Sequence, residues 1–221
     1  VTIPVEMGPR QKAAYEEMRK TALAAYGDLT CAAPFVITQF LRLSQIAGGF
    51  FPGEDGDGFS TARPIEDAKK FDALLGLVSG LPKGEQVVVW ARFRKEVEAV
   101  YELLTMEGHA CVKYYGGISY KDRVLAREQF SSKKANIFVG NPASGGKGLN
   151  DLVGATTVIY YSNDYSNENR RQSEDRNHRQ GTVKVTYFDL VTKGTIDEQV
   201  LSVLKDNEDF AQSLLNRKLS L

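Results

Sequence analysis

The stretch VVVWARFRKEVEAVYELLTMEGHACVKYYGGISYKDRVLAREQFSSKKANIFVG, residues 87–140, decides the fold class by its rhythm. VVVW (87–90), ACVKYY (110–115) and ANIFVG (135–140) are short, nearly continuous apolar runs, as expected of strands buried on both faces. Between them, KEVEAVYELLTMEG (95–108) and SYKDRVLAREQF (119–130) place apolar residues at helical spacing. Gly108 closes the first helix and Ser119 caps the second. The same alternation continues outward. IEDAKKFDALLGLVSGL (65–81) reads as a helix, ATTVIYY (155–161) as a strand, and NENRRQSEDRNHRQ (167–180) as a helix. KVTYFDLV (184–191) is then a strand and TIDEQVLSVLKDNEDFAQSLL (195–215) a closing helix. Apolar strands separated by helices predict an α/β fold with a parallel sheet covered on both faces. Upstream, QKAAYEEMRKTALAAY (11–26) and FVITQFLRLSQIAGGF (35–50) read as two helices, and PGEDGDGFSTARP (52–64) as a loop. The expected organisation is a helical lead-in over 1–64 and an α/β lobe over 65–221.

Composition narrows the partners. Lys plus Arg balance Asp plus Glu at 28 each, so any basic surface must come from placement. Hydrophobic residues make up 42%, enough for a sizeable core and too many for disorder. Cys31 and Cys111 alone make no disulfide framework, which favours a reducing compartment. No run of apolar residues is long enough to span a membrane. The start, VTIPVEMGPRQ, is no signal peptide; its abrupt strand-like alternation suggests a piece of a longer protein.

In a parallel sheet, ligands sit at the carboxyl ends of the strands, so the loops after Trp90, Tyr115, Gly140 and Tyr161 are the places to look. GNPASGGKGLND (140–151) invites a phosphate-loop reading, which fails: Asn141 stands where the first glycine is needed and Gly148 where Ser or Thr is needed. No DExH or DExD box occurs either, so the chain has no means of its own to hold nucleotide phosphates and magnesium. GGIS (116–119) at a helix start could receive a phosphate oxygen, or be a plain turn. RRQSEDRNHRQG (170–181) sets Arg176 and Arg179 on one helical face, where they would meet either an anion or the helix's own acids. The loop 52–64 fails as a calcium site, because Phe59 and Ser60 occupy positions that need a ligand and a glycine. No CxxC or HxxxH spacing joins His109, Cys111, Cys31 and His178, so no metal is expected.

Taken in order, these loops resemble those of one family: the C-terminal RecA-like lobe of Swi/Snf-type helicase-like ATPases of superfamily two. VVVWARF resembles motif IV, and YYGGISYKDRVLAREQF the block that follows it. ASGGKGLND resembles motif V, and NENRRQSEDRNHRQGTVKVTYFDLVTKGTIDEQVL motif VI with its tail. The resemblance covers nearly the whole chain. It implies a RecA-like parallel sheet sandwiched by helices, and a second motor lobe of a DNA-dependent ATPase or DNA translocase. ATP and magnesium would be bound with an N-terminal lobe that carries the phosphate loop, so this chain alone would be inactive. Gln172, Arg176 and Arg179 would face the nucleotide from motif VI, with Arg179 the arginine finger and Arg176 beside it. Gly148 and Asn150 would lie near the nucleotide from motif V. Arg92, Phe93, Gly116, Gly117, Asn141, Ser144 and Gly145 would lie toward the backbone of double-stranded DNA.

The chain departs from the family pattern in three places. Asn141-Pro142 replaces the usual Ser-Thr, and Pro142 removes a backbone donor. Gln180-Gly181-Thr182 replaces Ile-Gly-Gln. The 52–64 insertion is short, similar to bacterial and phage members, which implies a simple translocase rather than a nucleosome-sliding enzyme. The expected location is cytoplasmic, or nuclear in a eukaryote. The rival reading is a non-catalytic RecA-like module that uses its arginines to bind nucleic acid or a partner protein.

Overall fold

A computed structural model describes residues 1–26, 29–32, 36–54, 60–144, 152, 154–177 and 184–206. The chain divides into two compact units. One comprises Val1–Ile3 with Leu74–Leu190, the other Pro4–Ala73 with Val191–Leu221. In order, the elements are β1 (Thr2–Val5), α1 (Pro9–Thr21), β2 (Leu23–Tyr26), β3 (Leu29–Ala32), α2 (Val36–Ala47), β4 (Phe50–Glu54), β5 (Ser60–Pro64) and α3 (Lys70–Ser79). There follow β6 (Val87–Trp90), α4 (Arg94–Met106), β7 (Cys111–Tyr114), α5 (Tyr120–Ser131), β8 (Ile137–Gly140), β9 (Thr157–Tyr160), α6 (Asn167–Asp175), β10 (Thr186–Thr192) and α7 (Ile196–Asp206).

The larger sheet has the order β1-β10-β9-β6-β8-β7. The pairs β7–β8, β8–β6, β6–β9 and β9–β10 are all parallel, as the apolar runs predict. Every residue of β6, β8 and β9 is buried, which only a sheet covered on both faces allows. Phe138 sits at the aromatic centre of this core, with the rings of Trp90, Tyr114 and Phe130 at 6.0, 5.6 and 5.5 Å. Register aligns Tyr114, Gly140, Trp90, Tyr160 and Asp189 as one row across the carboxyl ends of the strands. Gly140 is required in that row. A Cβ there would lie 2.9 Å from both Trp90 Cζ3 and Phe138 Cε1.

The other unit differs from expectation. Residues 23–26 are not helical: α1 stops at Thr21, Ala22 takes a left-handed φ of 53°, and the Thr21 hydroxyl accepts the Leu23 N–H at 3.2 Å. Its Ala-rich end has high helix propensity, but antiparallel pairing of β2 with β3 overrides it. Residues 50–54, which start at the expected helix end and run into the expected loop, pair antiparallel with residues 60–64 inside that loop, as β4 and β5, completing a second sheet of order β2-β3-β4-β5. Their Gly, Pro and Ser content hid the strand pattern. α1 is capped by Asp67, whose carboxylate accepts the N–H groups of Arg10 at 2.7 Å and Gln11 at 3.1 Å. Within the same unit, the Tyr15 hydroxyl accepts the Ile196 N–H at 2.8 Å, and buried Lys70 donates to Asp197.

Candidate functional site

The strand-end row carries the loops that the sequence singles out. After β6, Arg92 N–H donates to Ser162 Oγ at 2.8 Å, and that hydroxyl donates to buried Glu96. Glu96 also accepts the Phe93 N–H at 3.1 Å, so one carboxylate holds the turn into α4. After β8, the Asn141 side chain donates to Arg92 O and accepts the N–H groups of Ala143 at 2.9 Å and Ser144 at 3.3 Å. This side-chain turn starts a short 3-10 helix, Pro142–Ser144, in which proline's missing donor costs nothing. Ser144 Oγ in turn accepts the Gly116 N–H at 3.0 Å. Five predicted residues, Arg92, Phe93, Gly116, Asn141 and Ser144, are thus joined in one hydrogen-bonded patch.

Gly117 serves this patch by its size. A Cβ there would meet Tyr115 Cε2 at 2.9 Å and Arg94 Nη1 at 3.1 Å, where the guanidinium stacks on the Tyr115 ring. The glycine pair is not an open phosphate cradle. The Gly116 donor is committed to Ser144, and Ser119 caps α5 through Asp122, which adds a negative charge in the first turn. The Arg92 guanidinium lies 5.0 Å from the Phe93 ring and 4.8 Å from Tyr165. Tyr165 was not singled out in the sequence; its position after the strand 155–161 was the available signal.

α6 shows two arginines in opposite circumstances. Arg170 spends four of its five donors on Glu174, Asn163 and both oxygens of Asp189, and lies 3.5 Å from the Tyr160 ring centroid. Burial alone would lower its pKa, but Asp189, Tyr160 and Glu174 raise it above the ordinary value. Burial likewise raises the Tyr160 phenol. Arg176 has no such partners. It is half-buried, 5.7 Å from the Trp90 ring centroid, with one long hydrogen bond of 3.4 Å to Pro142 O. Burial lowers its pKa, and no carboxylate among the described residues pairs with it. A half-buried guanidinium that no described carboxylate pairs, at the carboxyl ends of a parallel sheet, is suited to an incoming anion. Gln172 is exposed and donates to Glu168 at 2.8 Å, so the helix's own acids do engage that residue. Arg179, Gly145, Gly148 and Asn150 lie outside the described residues. α6 ends at Asp175, five residues short of the predicted end; Arg176 caps it and Asn177 follows in a turn. Among the described residues, no three His, Cys, Asp or Glu side chains converge as metal donors, and no helix is long and apolar enough to cross a membrane.

A family profile described as "Helicase conserved C-terminal domain" matches residues 69–181. The mouse protein "Chromatin-remodeling ATPase INO80" is 29% identical over 209 residues, covering 88% of this chain and 13% of its own length. "Helicase swr1" of Schizosaccharomyces pombe is 29% identical over 138 residues, covering 61% of this chain and 11% of its own length. This chain therefore spans only about an eighth of such relatives. Among solved structures, the C-terminal part of the Fun30 ATPase domain superposes with a TM-score of 0.56 at 28% identity, over 62% of this chain and 45% of that one. The Pyrococcus furiosus Hef helicase domain shares the fold, with a TM-score of 0.51 at 19% identity, over 65% of this chain and 28% of that one. The curated relatives named above are eukaryotic, whereas the short 52–64 insertion suggests the bacterial or phage type.

Proposed function

Since the chain belongs to the helicase conserved C-terminal domain family, we propose that it is the second motor lobe of a Swi/Snf-type DNA translocase. Its arginines complete an ATP site whose phosphate loop and magnesium ligands lie on another lobe. The observation that carries this reading is Arg176: half-buried, paired with no carboxylate among the described residues, and set at the strand ends. ATP supplies the transferring phosphoryl group, with magnesium on its oxygens. Arg176 offers that group a positive charge whose desolvation is already incurred in the fold. Arg179 is assigned the arginine-finger role, a contribution on the order of 10³–10⁵ in rate for such residues. Gln172, Gly148 and Asn150 line the nucleotide side. Arg92, Phe93, Gly116, Gly117, Asn141, Ser144 and Gly145 lie toward the DNA backbone, where contacts position a motor without reading sequence. The Arg92–Ser162–Glu96 and Asn141–Ser144–Gly116 bonds support this by making the DNA-facing loops one rigid patch. The relatives named for chromatin remodelling favour duplex DNA as the track and the nucleus as the location.

The test is DNA-stimulated ATP hydrolysis by the full-length polypeptide that contains this chain, beside Arg176→Ala and Arg179→Ala. The expected result is stimulation by duplex DNA in the wild type, and a loss of turnover on the order of 10² or more in each variant with ATP still bound. Equal turnover in all three proteins would leave a RecA-like fold without this mechanism. The 221-residue chain alone is expected to show no hydrolysis.

A further inference from the structure

α6 has an unusual problem for a helix lying on a sheet. Ser173 is its single buried residue, so it has no apolar stripe to hold its roll about its own axis. Its roll is instead set by polar contacts at residues 170 and 173, spaced to share one side, and at Asn177 in the turn that follows. Arg170 reaches Asp189 on β10 and Asn163 beyond β9, and Asn163 Nδ2 closes the triangle onto Asp189 at 2.9 Å. The Ser173 hydroxyl donates to Arg170 O at 2.7 Å, so at the 2.6 Å contact the Tyr160 hydroxyl is the donor. Buried Asn177 donates to Leu152 O at 2.9 Å. Of these anchors, Arg170 is the only one that is ionic, forked and stacked. Among the described residues, Arg176 itself is held by weak contacts: one bond of 3.4 Å and an aromatic face at 5.7 Å. Where its guanidinium sits is therefore decided by the roll of the helix behind it.

We propose that Arg170 is a positioning residue for Arg176: clamped between Asp189, Asn163, Glu174 and the Tyr160 ring, it fixes the roll of α6 and so the place of the Arg176 guanidinium against Trp90. This rests on the reading of Arg176 as an ATP-facing arginine. An independent readout exists, because Trp90 is the sole tryptophan of the chain and lies under Arg176.

The experiment compares Arg170→Met, Arg176→Ala and the double variant. Methionine keeps length and apolar contact with Tyr160 but removes the fork. In the 221-residue chain, Arg170→Met is expected to shift Trp90 emission in the same direction as Arg176→Ala, with no further shift in the double variant. In the full-length polypeptide, Arg170→Met is expected to lower kcat by about tenfold to a hundredfold, as for a misplaced catalytic group, with KM for ATP changed by less than about threefold. In the Arg176→Ala background it is expected to lower kcat no further. The proposal is overturned if folded Arg170→Met leaves emission and kcat unchanged, or if its kcat effect persists undiminished without Arg176. If Arg170→Met does not fold, Asn163→Ala, which opens the triangle but keeps the ion pair, faces the same two outcomes with smaller expected shifts. If Arg176→Ala leaves turnover intact while Arg170→Met still moves Trp90 emission, the ATP-facing reading of Arg176 falls and the mechanical link stands.

Discussion

Replacing Asp189 with alanine removes the carboxylate that neutralises Arg170, and its cost can be worked from the geometry. The two side chains are 9% and 16% exposed, so this is a largely buried ion pair. Breaking such a pair by deleting one partner typically costs about 3–5 kcal/mol, because the remaining charge is left desolvated. Glu174 stays bonded to Arg170 at 2.6 Å and shares the burden, which places the expectation near the lower end, about 3 kcal/mol. Asn163 also loses its acceptor, which keeps the value from falling much further. Against a domain stability of about 5–15 kcal/mol, the loss is large without being total. Because the chain has two compact units, the probe must lie in the unit that carries the change. Trp90 does, and its fluorescence during urea unfolding reports that unit alone. With a slope of about 2 kcal/mol per molar urea, the midpoint should fall by about 1.5 M with the slope unchanged. A fall of less than about 0.5 M would mean that the pair behaves like an exposed salt bridge, worth about 0–1 kcal/mol, and the account of Arg170 as a buried clamp would be wrong.

Gly140→Ala should destabilise the same unit by about 1–3 kcal/mol through overpacking against Trp90 and Phe138, and a urea midpoint equal to wild type would refute the close approach. Glu98 is subject to burial, which raises its pKa, but hydrogen bonds from Arg94, Tyr115 and Lys95 outweigh this and hold it at about 2, below its ordinary 4.5. Its stabilising contribution is therefore present above about pH 4.5 and lost as pH falls toward 2; acid titration of Glu98→Gln should be flatter than wild type in that window, and superimposable curves would contradict it. Burial pushes the Cys111 thiol up to about 11, so at pH 8 only about one molecule in a thousand is thiolate. Alkylation at Cys111, followed by peptide mapping, should be on the order of 10²-fold slower in native protein than in urea, and comparable rates would show the thiol to be open.

Much of the fold is written locally. Val87–Trp90, Ile137–Gly140 and Thr157–Tyr160 announce a sheet buried on both faces because no other setting accepts such unbroken apolar runs. Ser119 marks the start of α5 because its hydroxyl satisfies a donor, at Asp122, within its own turn. The β2–β5 sheet was illegible for the opposite reason. Its strands are short, rich in alanine or in turn residues, and stabilised by pairing between segments that carry no strand signal of their own. The order of the loop motifs likewise sufficed for the sequence alone to identify the family; Arg92, Phe93, Gly116, Asn141, Ser144 and Arg176, named from that resemblance, lie in the loops and helix end at the strand ends. What it left open was which arginine of RRQSEDRNHR is structural. Arg170 and Arg176 are chemically identical and six residues apart; helical spacing offers Arg170 an acid at Glu174, while other acids of the stretch sit beside Arg176 in sequence. Arg170 is neutralised by Asp189, nineteen residues away on a neighbouring strand, and stacked on Tyr160; Arg176 is brought against Trp90 and a proline carbonyl, where no carboxylate among the described residues reaches it. The difference between a clamped arginine and one that no described carboxylate pairs lies in long-range contacts, which a one-dimensional pattern does not contain and only the packed sheet decides.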